Sequence, residues 1–187
     1  MLILASASPR RRELLAQAGF TFEVRPADVD ESVRPGEDPT AYVTRLAREK
    51  AQAIFNAAGD PAAVVLGADT TVTLDGHILG KPEDAADAAR MLRLLSGRVH
   101  QVVTGVAVVT TQGVEAAAEV TAVSFAAMSE ADITAYVATG EPMDKAGAYG
   151  IQGMAAKWIP RVEGCYFNVV GLPLACVSAM LGAAARK

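Results

Sequence analysis

Near its start, the chain places hydroxyl and guanidinium side chains where a strand is expected to run into a helix. Residues 1–5 are predicted to form a short buried strand, and Ser8 followed by Pro9 is typical of a helix start, because Ser caps free N–H groups and Pro pre-sets the first helical φ. Residues 10–12 are all arginine and occupy the first turn, where the helix dipole disfavours cations. A bound phosphate would offset this charge, since helix N-termini and guanidinium groups both bind phosphate. The alternative is a solvated basic face, the more common role of a basic run.

Carboxylates form a second group of candidate residues. The polar segment 25–39 is predicted to be a loop and contains Asp28, Asp30 and Glu31, which suggests either a metal or cation site or a solvated acidic loop. The apolar run 62–66 predicts a central strand buried on both faces, which ends in the residues 67–70, Gly-Ala-Asp-Thr. Because ligands bind at the carboxyl ends of such strands, Asp69 is a candidate for catalysis or metal binding. The alternative is a turn aspartate that accepts hydrogen bonds from its own backbone.

Lysine and glutamine side chains complete the candidate chemistry. Lys50 interrupts the apolar stripe of a predicted helix, where its spacing favours a side chain that snorkels to solvent over one that points into a site. A hairpin predicted at residues 75–76 delivers Lys81, which can bind phosphate although the Walker A spacing is absent. Gln152 lies in the glycine-rich stretch 147–153, where the backbone can approach a ligand and a planar amide can read a base edge. A flexible surface loop is the alternative.

The elements that position these residues follow from hydrophobic spacing and capping residues. Helices are predicted to begin after Ser8, Asp38 and Ser129, over residues 84–96, and after the Gly-Leu-Pro sequence at 171–173. Strands are predicted over residues 20–24, 98–109, 115–126 and 158–162, with a turn and a further strand over 164–168. This interleaving predicts an α/β or α+β fold with a mixed sheet. The length fits a single domain over residues 1–187, or one core with two lobes.

Composition excludes several classes of protein. The net charge of −4 argues against a general nucleic-acid binder. Cys165 and Cys176 are the only cysteines and lack metal or CxxC spacing, which favours a reducing, cytoplasmic location. The C-terminal apolar run is too short to cross a bilayer, so no membrane partner is expected.

Five short segments, in order along nearly the whole chain, together carry a family resemblance. They run from Ser6 to Arg11 (SASPRR), Gly67 to Thr70 (GADT), Gly80 to Pro82 (GKP), Asp144 to Gly153 (DKAGAYGIQG) and Asn168 to Pro173 (NVVGLP). In combination they resemble the Maf family of nucleoside triphosphate pyrophosphatases. The resemblance implies a fold similar to inosine triphosphate pyrophosphatases, with a long mixed sheet, flanking helices and two lobes around a central cleft. It also implies cleavage between the α and β phosphates, and the fourth segment resembles the branch that acts on dTTP and UTP rather than on 7-methyl-GTP.

The resemblance also implies roles for individual residues. Those expected to act in catalysis are Asp69, Lys81 and Lys50, with Asp69 as the general base. Those expected to bind substrate are Ser6, Ser8, Arg10, Arg11, Thr70 and Gln152, with Gln152, Arg10 and Thr70 at the specificity positions. Those expected to hold a divalent cation, Mg²⁺ or Mn²⁺, are Glu31 and Asp69, although the choice between Asp30 and Glu31 stays open. A homodimer is expected from the resemblance alone.

Two other functions are compatible with parts of the sequence. The family is named for septum formation, so a regulator that binds nucleotides without hydrolysing them is one alternative, although a binder has no need of the set Asp69, Glu31, Lys50 and Lys81. A cysteine hydrolase that pairs Cys165 with His100 is a weaker alternative, because neither residue lies in a recognised nucleophile motif.

Overall fold

A computed structural model describes residues 1–184, which form six α-helices and a seven-stranded sheet. The helices are α1 (Pro9–Gln17), α2 (Pro39–Ala58), α3 (Ala85–Leu95), α4 (Glu130–Ala138), α5 (Tyr166–Val170) and α6 (Leu174–Ala184). The strands are β1 (Leu2–Leu4), β2 (Glu23–Val24), β3 (Val64–Leu74), β4 (His77–Leu79), β5 (Val99–Thr110), β6 (Gly113–Ser124) and β7 (Arg161–Glu163). Short 3₁₀ turns cover Glu141–Asp144, Ala146–Ala148 and Met154–Trp158. The single domain expected over residues 1–187 includes 185–187, which lie outside the described residues.

The sheet is mixed, as predicted. Six of its strands follow the order β2-β1-β3-β5-β6-β7, and the seventh, β4, pairs with β3 outside this order. Strand β1 runs parallel to both β2 and β3, whereas β4 is antiparallel to β3 and β7 is antiparallel to β6. The prediction of an α/β fold with a mixed sheet flanked by helices is therefore confirmed.

The described residues fall into two compact units. Unit 1 comprises residues 1–70, 104–119 and 171 to the end of the described chain, and unit 2 comprises residues 71–103 and 120–170. Strands β3, β5 and β6 contribute residues to both units. Within residues 1–184, no helix is long and apolar enough to cross a membrane.

Each unit has its own apolar core. In unit 1 the core includes Ile3, Ala5, Ala47, Ala51, Ala63, Val65, Ala107 and Val109. In unit 2 a larger cluster gathers around α3 and α4 and includes Leu92, Leu95, Phe125, Ile133, Tyr136 and Trp158. Burial of these side chains supplies most of the free energy that holds each unit together.

In unit 1, helix α2 lies unusually close to the sheet at two glycines. A Cβ atom added to Gly67 of β3 would lie 2.1 Å from the Ala47 carbonyl oxygen, and one added to Gly105 of β5 would lie 2.4 Å from the Val43 carbonyl group. No side chain larger than hydrogen fits at either position without moving the helix backbone. These two glycines therefore fix the distance between α2 and the strands beneath it.

The capping signals in the sequence are confirmed. Ser8 and Asp38 accept hydrogen bonds from the first turns of α1 and α2, and Ser129 forms a reciprocal capping box at the start of α4. Asp84 caps α3 in the same way, although only the helix itself was predicted there from the sequence. The hairpin at residues 75–76 is also confirmed, with Leu74 opposite His77. These features depend only on neighbouring residues, which is why the sequence predicts them well.

Several predicted elements differ from the structure. Strand β3 does not end at residues 67–70 but continues to Leu74, because its second half pairs with β4. Asp69 therefore lies inside a long strand and not at the carboxyl end of a short one. The predicted strand at 20–24 shortens to the two residues of β2.

Residues 158–168 contain two further differences. The predicted strand at 158–162 is replaced by a 3₁₀ turn that ends at Trp158 and by β7, which starts only after Pro160, because proline has no N–H to donate to a ladder. The predicted strand at 164–168 is replaced by helix α5, which buries Asn168. Its amide donates to the Val102 carbonyl at 3.0 Å and to Thr121 Oγ1 at 2.9 Å, so tertiary hydrogen bonds override the local β propensity.

Replacement of Gly67 tests the close approach of α2 to β3. Gly67→Ala places a methyl group against the helix backbone, so we expect it to lower the free energy of unfolding by about 1–3 kcal/mol, as overpacking does. Urea unfolding followed by circular dichroism measures this change. The matched control is Gly80→Ala, because a Cβ atom there meets nothing within 4 Å. Equal stability of the two variants would contradict the proposed tight contact.

Candidate functional site

The contact between α2 and β3 brings Lys50 to Asp69. Asp69 shares a face of β3 with Gly67, since alternate residues of a strand point the same way, and Lys50 lies one turn beyond Ala47 on α2. Lys50 Nζ lies 2.7 Å from Asp69 Oδ1. Each residue is only 8% exposed. The glycine at position 67 thus allows a buried ion pair to form two residues further along the strand.

A second carboxylate completes this arrangement. Lys50 Nζ also lies 2.6 Å from Glu31 Oε1, so the ammonium is placed between two carboxylates. The interpretation that Lys50 snorkels to solvent is therefore wrong. A buried ammonium loses its hydration, and ion pairing with hydrogen-bonding geometry offsets that cost.

Helix α2 also holds the backbone of the acidic loop that carries Glu31. The Tyr42 hydroxyl donates to the Glu31 main-chain carbonyl at 2.9 Å, and Arg45 Nη2 donates to the Ser32 carbonyl at 3.0 Å. Burial, followed by the negative charges of Asp69 and Glu31, raises the pKa of Tyr42 to about 12. Tyr42 therefore stays a neutral hydroxyl and a hydrogen-bond donor at physiological pH.

The structure distinguishes the two neighbouring acids of the loop. Asp30 is exposed, and its Oδ1 accepts a hydrogen bond from the Ser32 N–H at 2.9 Å. This local turn lowers the pKa of the Asp30 carboxyl, chiefly through the hydrogen bond with Ser32. Glu31, by contrast, directs its carboxylate to Lys50. Of the pair left open by the sequence, Glu31 is the acid that lies with Lys50 and Asp69.

An ion-pair network fixes the other end of the acidic loop. Arg45 donates to both carboxylate oxygens of Glu37, with Nε to Oε1 at 2.6 Å and Nη2 to Oε2 at 2.8 Å. Its Nη1 lies 3.2 Å from Glu49. The hydrogen bonds from Arg45 lower the pKa of Glu37 to about 2. Because this pairing is bidentate, it constrains the loop more than a single contact would.

Arg11 makes four side-chain hydrogen bonds to three separate segments of unit 1. Its Nε donates to the Gly171 carbonyl at 2.8 Å, and its Nη1 donates to the Ala68 carbonyl at 2.9 Å and to Ser6 Oγ at 3.3 Å. Its Nη2 donates to Thr70 Oγ1 at 2.9 Å. Burial lowers the pKa of Arg11, partly offset by the charge of Asp69. Arg11 is thus a hydrogen-bonding centre that orients the predicted substrate-binding residues Ser6 and Thr70.

The remaining predicted residues of unit 1 surround Arg11 or lie beside it. Ser6 Oγ accepts from the Ser8 N–H at 3.2 Å, and Ser8 Oγ accepts from the Arg11 N–H at 3.4 Å as the N-cap of α1. Thr70 Oγ1 is hydrogen-bonded to Thr104 Oγ1 at 2.9 Å. Arg10 is half-buried in the first turn of α1. The structure therefore gathers the predicted residues of the N-terminal motif and of β3 within unit 1.

The two other predicted site residues belong to unit 2. Lys81 is exposed two residues after the end of β4, and Gln152 is exposed in the turn that precedes the third 3₁₀ segment. The segments that carry them are in contact, since the Gly147 N–H donates to the Gly80 carbonyl at 3.0 Å. Gly147 has φ +69°, and a Cβ atom there would lie 2.8 Å from the Val72 side chain. The glycine-rich stretch is therefore held against β3 and β4.

A buried tyrosine fixes this stretch further. Tyr149 packs edge-on against Phe125 and His100, and its hydroxyl lies 2.7 Å from His100 Nε2. His100 is 2% exposed, and burial lowers its pKa to about 4. Its Nδ1 has no hydrogen-bond partner among residues 1–184, so the alternative of a catalytic pair between Cys165 and His100 is wrong.

The carboxylate oxygens of unit 1 suit a hard cation that is also bound by a phosphorylated ligand. Among the described residues, no group of three or more His, Cys, Asp or Glu side chains is placed to hold a metal ion. Asp69 and Glu31 nonetheless converge on one ammonium. Magnesium is commonly bound by only one or two carboxylates, with water and substrate phosphates as the other ligands. These two carboxylates fit that pattern.

Sequence reasoning missed the residues that hold Glu31. Tyr42, Arg45 and Glu49 follow one another at helical spacing and form a polar face of α2 that covers the acidic loop. This spacing is visible in the sequence. Nothing local, however, indicates that the face covers residues 31–37.

The whole described chain matches one protein family. The sequence model of the family described as Maf-like protein matches residues 1–184. A protein of Koribacter versatilis named dTTP/UTP pyrophosphatase is 55% identical over 180 residues, which is 96% of this chain and 92% of that protein. A protein of Moorella thermoacetica with the same name is 56% identical over 182 residues, 96% of this chain and 93% of that protein.

Solved structures of lower similarity also match. One is a nucleoside-triphosphatase / dITP/XTP pyrophosphatase from Mycobacterium abscessus, with 18% identity, a TM-score of 0.41 and coverage of 68% of this chain and 74% of that chain. Another is the Ham1 protein of Staphylococcus aureus, with 14% identity, a TM-score of 0.44 and coverage of 66% and 71% respectively.

The pairing of Glu37 with Arg45 predicts a specific dependence of stability on pH. Because the folded-state pKa of Glu37 is lowered from 4.5 to about 2, its stabilising contribution is complete above pH 4.5 and is lost as the pH falls through about 2. We expect wild type to be more stable than Glu37→Gln at pH 6 and this difference to shrink between pH 4.5 and pH 2.

Urea unfolding at a series of pH values measures this difference. Glu115→Gln is the control, because Glu115 is an exposed acid on β6 and its removal reports the effect of one surface charge. A difference between wild type and Glu37→Gln that stays constant from pH 6 to pH 2 would contradict the assigned pairing.

Proposed function

The chain belongs to the Maf-like protein family, and we propose that it hydrolyses dTTP and UTP to the nucleoside monophosphate and pyrophosphate. The observation that carries this proposal is the placement of Lys50 between Asp69 and Glu31, in a chain 55% and 56% identical to relatives named dTTP/UTP pyrophosphatase. Modified pyrimidine nucleotides are included in the proposed substrate class.

Asp69 is proposed as the general base. Its Oδ1 is bonded to Lys50 Nζ, so Oδ2 is the oxygen assigned to a water molecule. That water attacks the α phosphorus, its proton passes to Asp69, and the bond between the α phosphorus and the bridging oxygen breaks as pyrophosphate leaves. Lys50 fixes the orientation of the carboxylate, and such positioning supplies a large part of enzymatic rate enhancement.

Glu31 and Asp69 are proposed to hold the divalent cation, Mg²⁺ or Mn²⁺, together with phosphate oxygens of the substrate. When bound, the cation would neutralise charge on the triphosphate. Tyr42 holds the Glu31 carbonyl itself and Arg45 holds the Ser32 carbonyl that follows it, so the backbone that carries the Glu31 carboxylate is fixed before substrate arrives.

The phosphates are proposed to bind at the start of α1 and at Lys81. Ser6, Ser8 and Arg10 lie at or before the first turn, where unpaired N–H groups attract anions. Lys81 adds a second cation. Arg11 makes four hydrogen bonds within unit 1 out of five N–H donors, so its main proposed role is to orient Thr70 and Ser6, with one N–H left for substrate.

Selection of the base is proposed for Gln152, with Thr70 and Arg10 at the other specificity positions. A planar amide presents a donor and an acceptor side by side, which matches the hydrogen-bonding edge of uracil or thymine.

Other properties expected from the sequence stay predictions. They are a single domain, a cytoplasmic location, a homodimer and the lack of nucleic-acid and membrane partners.

Substitution of the proposed base tests the reaction. We expect wild type with Mg²⁺ to release pyrophosphate, and not orthophosphate, from dTTP and UTP, and Asp69→Asn to lower kcat at least about 100-fold because a general base contributes 10²–10⁴-fold. The assay follows both phosphate products across ordinary and modified nucleoside triphosphates.

Other outcomes of this assay favour the alternatives. Turnover restricted to 7-methyl-GTP would assign the other branch of the family. Nucleotide binding without turnover by wild type would favour a non-catalytic regulator of septum formation, and full turnover by Asp69→Asn would contradict the role of that residue.

A second pair of variants tests the assignment of the metal-binding acid. We expect Glu31→Gln to raise the Mg²⁺ concentration for half-maximal rate by roughly 10-fold or more, since even indirect partners of metal ligands contribute 10–100-fold to affinity. Asp30→Asn is the matched control, because the Asp30 side chain is exposed and accepts a hydrogen bond from the Ser32 N–H within its own turn. The reverse result, with Asp30→Asn requiring the higher Mg²⁺ concentration, would transfer the role to Asp30.

A further inference from the structure

The turn that carries Gln152 is bonded to a buried tyrosine on α4. The Gly150 N–H donates to the Tyr136 hydroxyl oxygen at 3.2 Å, two residues before Gln152. Tyr136 is fully buried, and its ring packs edge-on against Trp158 with ring centroids 5.6 Å apart. The hydroxyl therefore occupies a position fixed by the core of unit 2.

Glu141 bonds to the other side of the same turn. Its Oε2 accepts a hydrogen bond from the Met154 N–H at 3.2 Å, two residues after Gln152, and its Oε1 accepts from the Tyr136 hydroxyl at 2.9 Å. Burial and the nearby Glu141 carboxylate raise the pKa of Tyr136, while the bond from Gly150 opposes them in part. The backbone on both sides of Gln152 is thus bonded to one hydrogen-bonded pair, Tyr136 and Glu141.

Two glycines allow the turn to lie this close to the pair. A Cβ atom added to Gly153 would lie 2.0 Å from Glu141 Oε1, and one added to Gly150 would lie 2.7 Å from Lys145 Cε. Lys145 in turn donates to the Glu141 carbonyl at 2.7 Å. Glu141 is therefore fixed at its backbone as well as its carboxylate, and the turn packs directly on it.

From these contacts we propose that Tyr136 and Glu141 are positioning residues for base selection: they hold the backbone of residues 150–154 so that the Gln152 amide meets one edge of the base. This inference rests on the proposed function, in which Gln152 reads the base. Neither residue is placed in contact with substrate. They affect how precisely the Gln152 amide is placed. A displacement of that amide by a fraction of an ångström lowers the selectivity between bases before it lowers the rate of hydrolysis.

The test compares two substrates that differ only at the hydrogen-bonding edge of the base, UTP and CTP. We expect Tyr136→Phe to lower the ratio of kcat/KM for UTP over CTP roughly tenfold, through KM more than kcat, because the hydroxyl that it removes joins the turn to Glu141. In a Gln152→Ala background, the same substitution should change the ratio by less than about twofold, since coupled residues are not additive.

Two further variants separate positioning from stability. Ser129→Ala removes the N-cap of α4, the helix that carries Tyr136, without touching residues 150–154, so it should lower the melting temperature and leave the ratio unchanged. Glu141→Gln keeps the size of the side chain but has one acceptor oxygen in place of two, and should shift the ratio in the same direction as Tyr136→Phe.

Each outcome decides the inference. A fall in the ratio that disappears in the Gln152→Ala background supports it. A uniform loss of rate on both substrates, matched by Ser129→Ala, overturns it in favour of a purely structural role. Selectivity that survives Gln152→Ala in an enzyme that cleaves UTP overturns it while the pyrophosphatase function stands. If wild type cleaves neither substrate, the proposed function fails and this inference fails with it.

Discussion

The ion pair between Lys50 and Asp69 is the interaction on which the rest of unit 1 depends. Both groups are almost fully buried, and a buried charge without a partner is strongly destabilising. Gly67 lets α2 approach β3 closely enough for the pair to form, and Glu31 is a second partner for the ammonium. Several features that look unrelated in the sequence therefore serve one electrostatic requirement. They include Gly67 in the strand, the polar face of α2 and the acidic loop that this face holds by hydrogen bonds.

The two units prepare their residues by different means. Unit 1 uses charge, with an ammonium between carboxylates, a bidentate pair of Arg45 and Glu37, and the hydrogen bonds of Arg11 to three segments. Unit 2 relies more on close packing and on neutral donors, with the Tyr149 hydroxyl beside His100 and the Gly150 N–H on the Tyr136 hydroxyl, and the Glu141 carboxylate is the charged acceptor at the Gln152 turn. The first means suits the binding of phosphates and a cation. The second suits the reading of a base, where shape and hydrogen-bond direction matter more than charge.

Much of the fold and of the candidate site could be predicted from the sequence, but only where a feature depends on neighbouring residues. The caps at Ser8, Asp38 and Ser129 and the hairpin at 75–76 depend on neighbouring residues, and all are present. The predicted orientation of Lys50 was wrong. A lysine on an apolar stripe usually extends to solvent unless a distant residue supplies a carboxylate, and here that residue is Asp69, nineteen positions away. Helix α5 was missed for a similar reason, since the bonds of Asn168 reach β5 and β6. Tyr136 and Glu141 carry no motif at all, and only their contacts with the turn reveal them.

For the three glycines at 147, 150 and 153, the sequence left a flexible surface loop open as an alternative, yet each has a different close neighbour, respectively Val72, Lys145 and Glu141. Their spacing thus matches three packing contacts and does not indicate mobility. A larger residue at any of the three glycines therefore requires its neighbour to move. The flexible side chains of Lys145 and Glu141 allow this more readily than Val72 does, and Gly147 also has a positive φ that favours glycine. Gln152 is exposed between Gly150 and Gly153, so a substitution there disturbs the packing of the turn less than a substitution at either glycine.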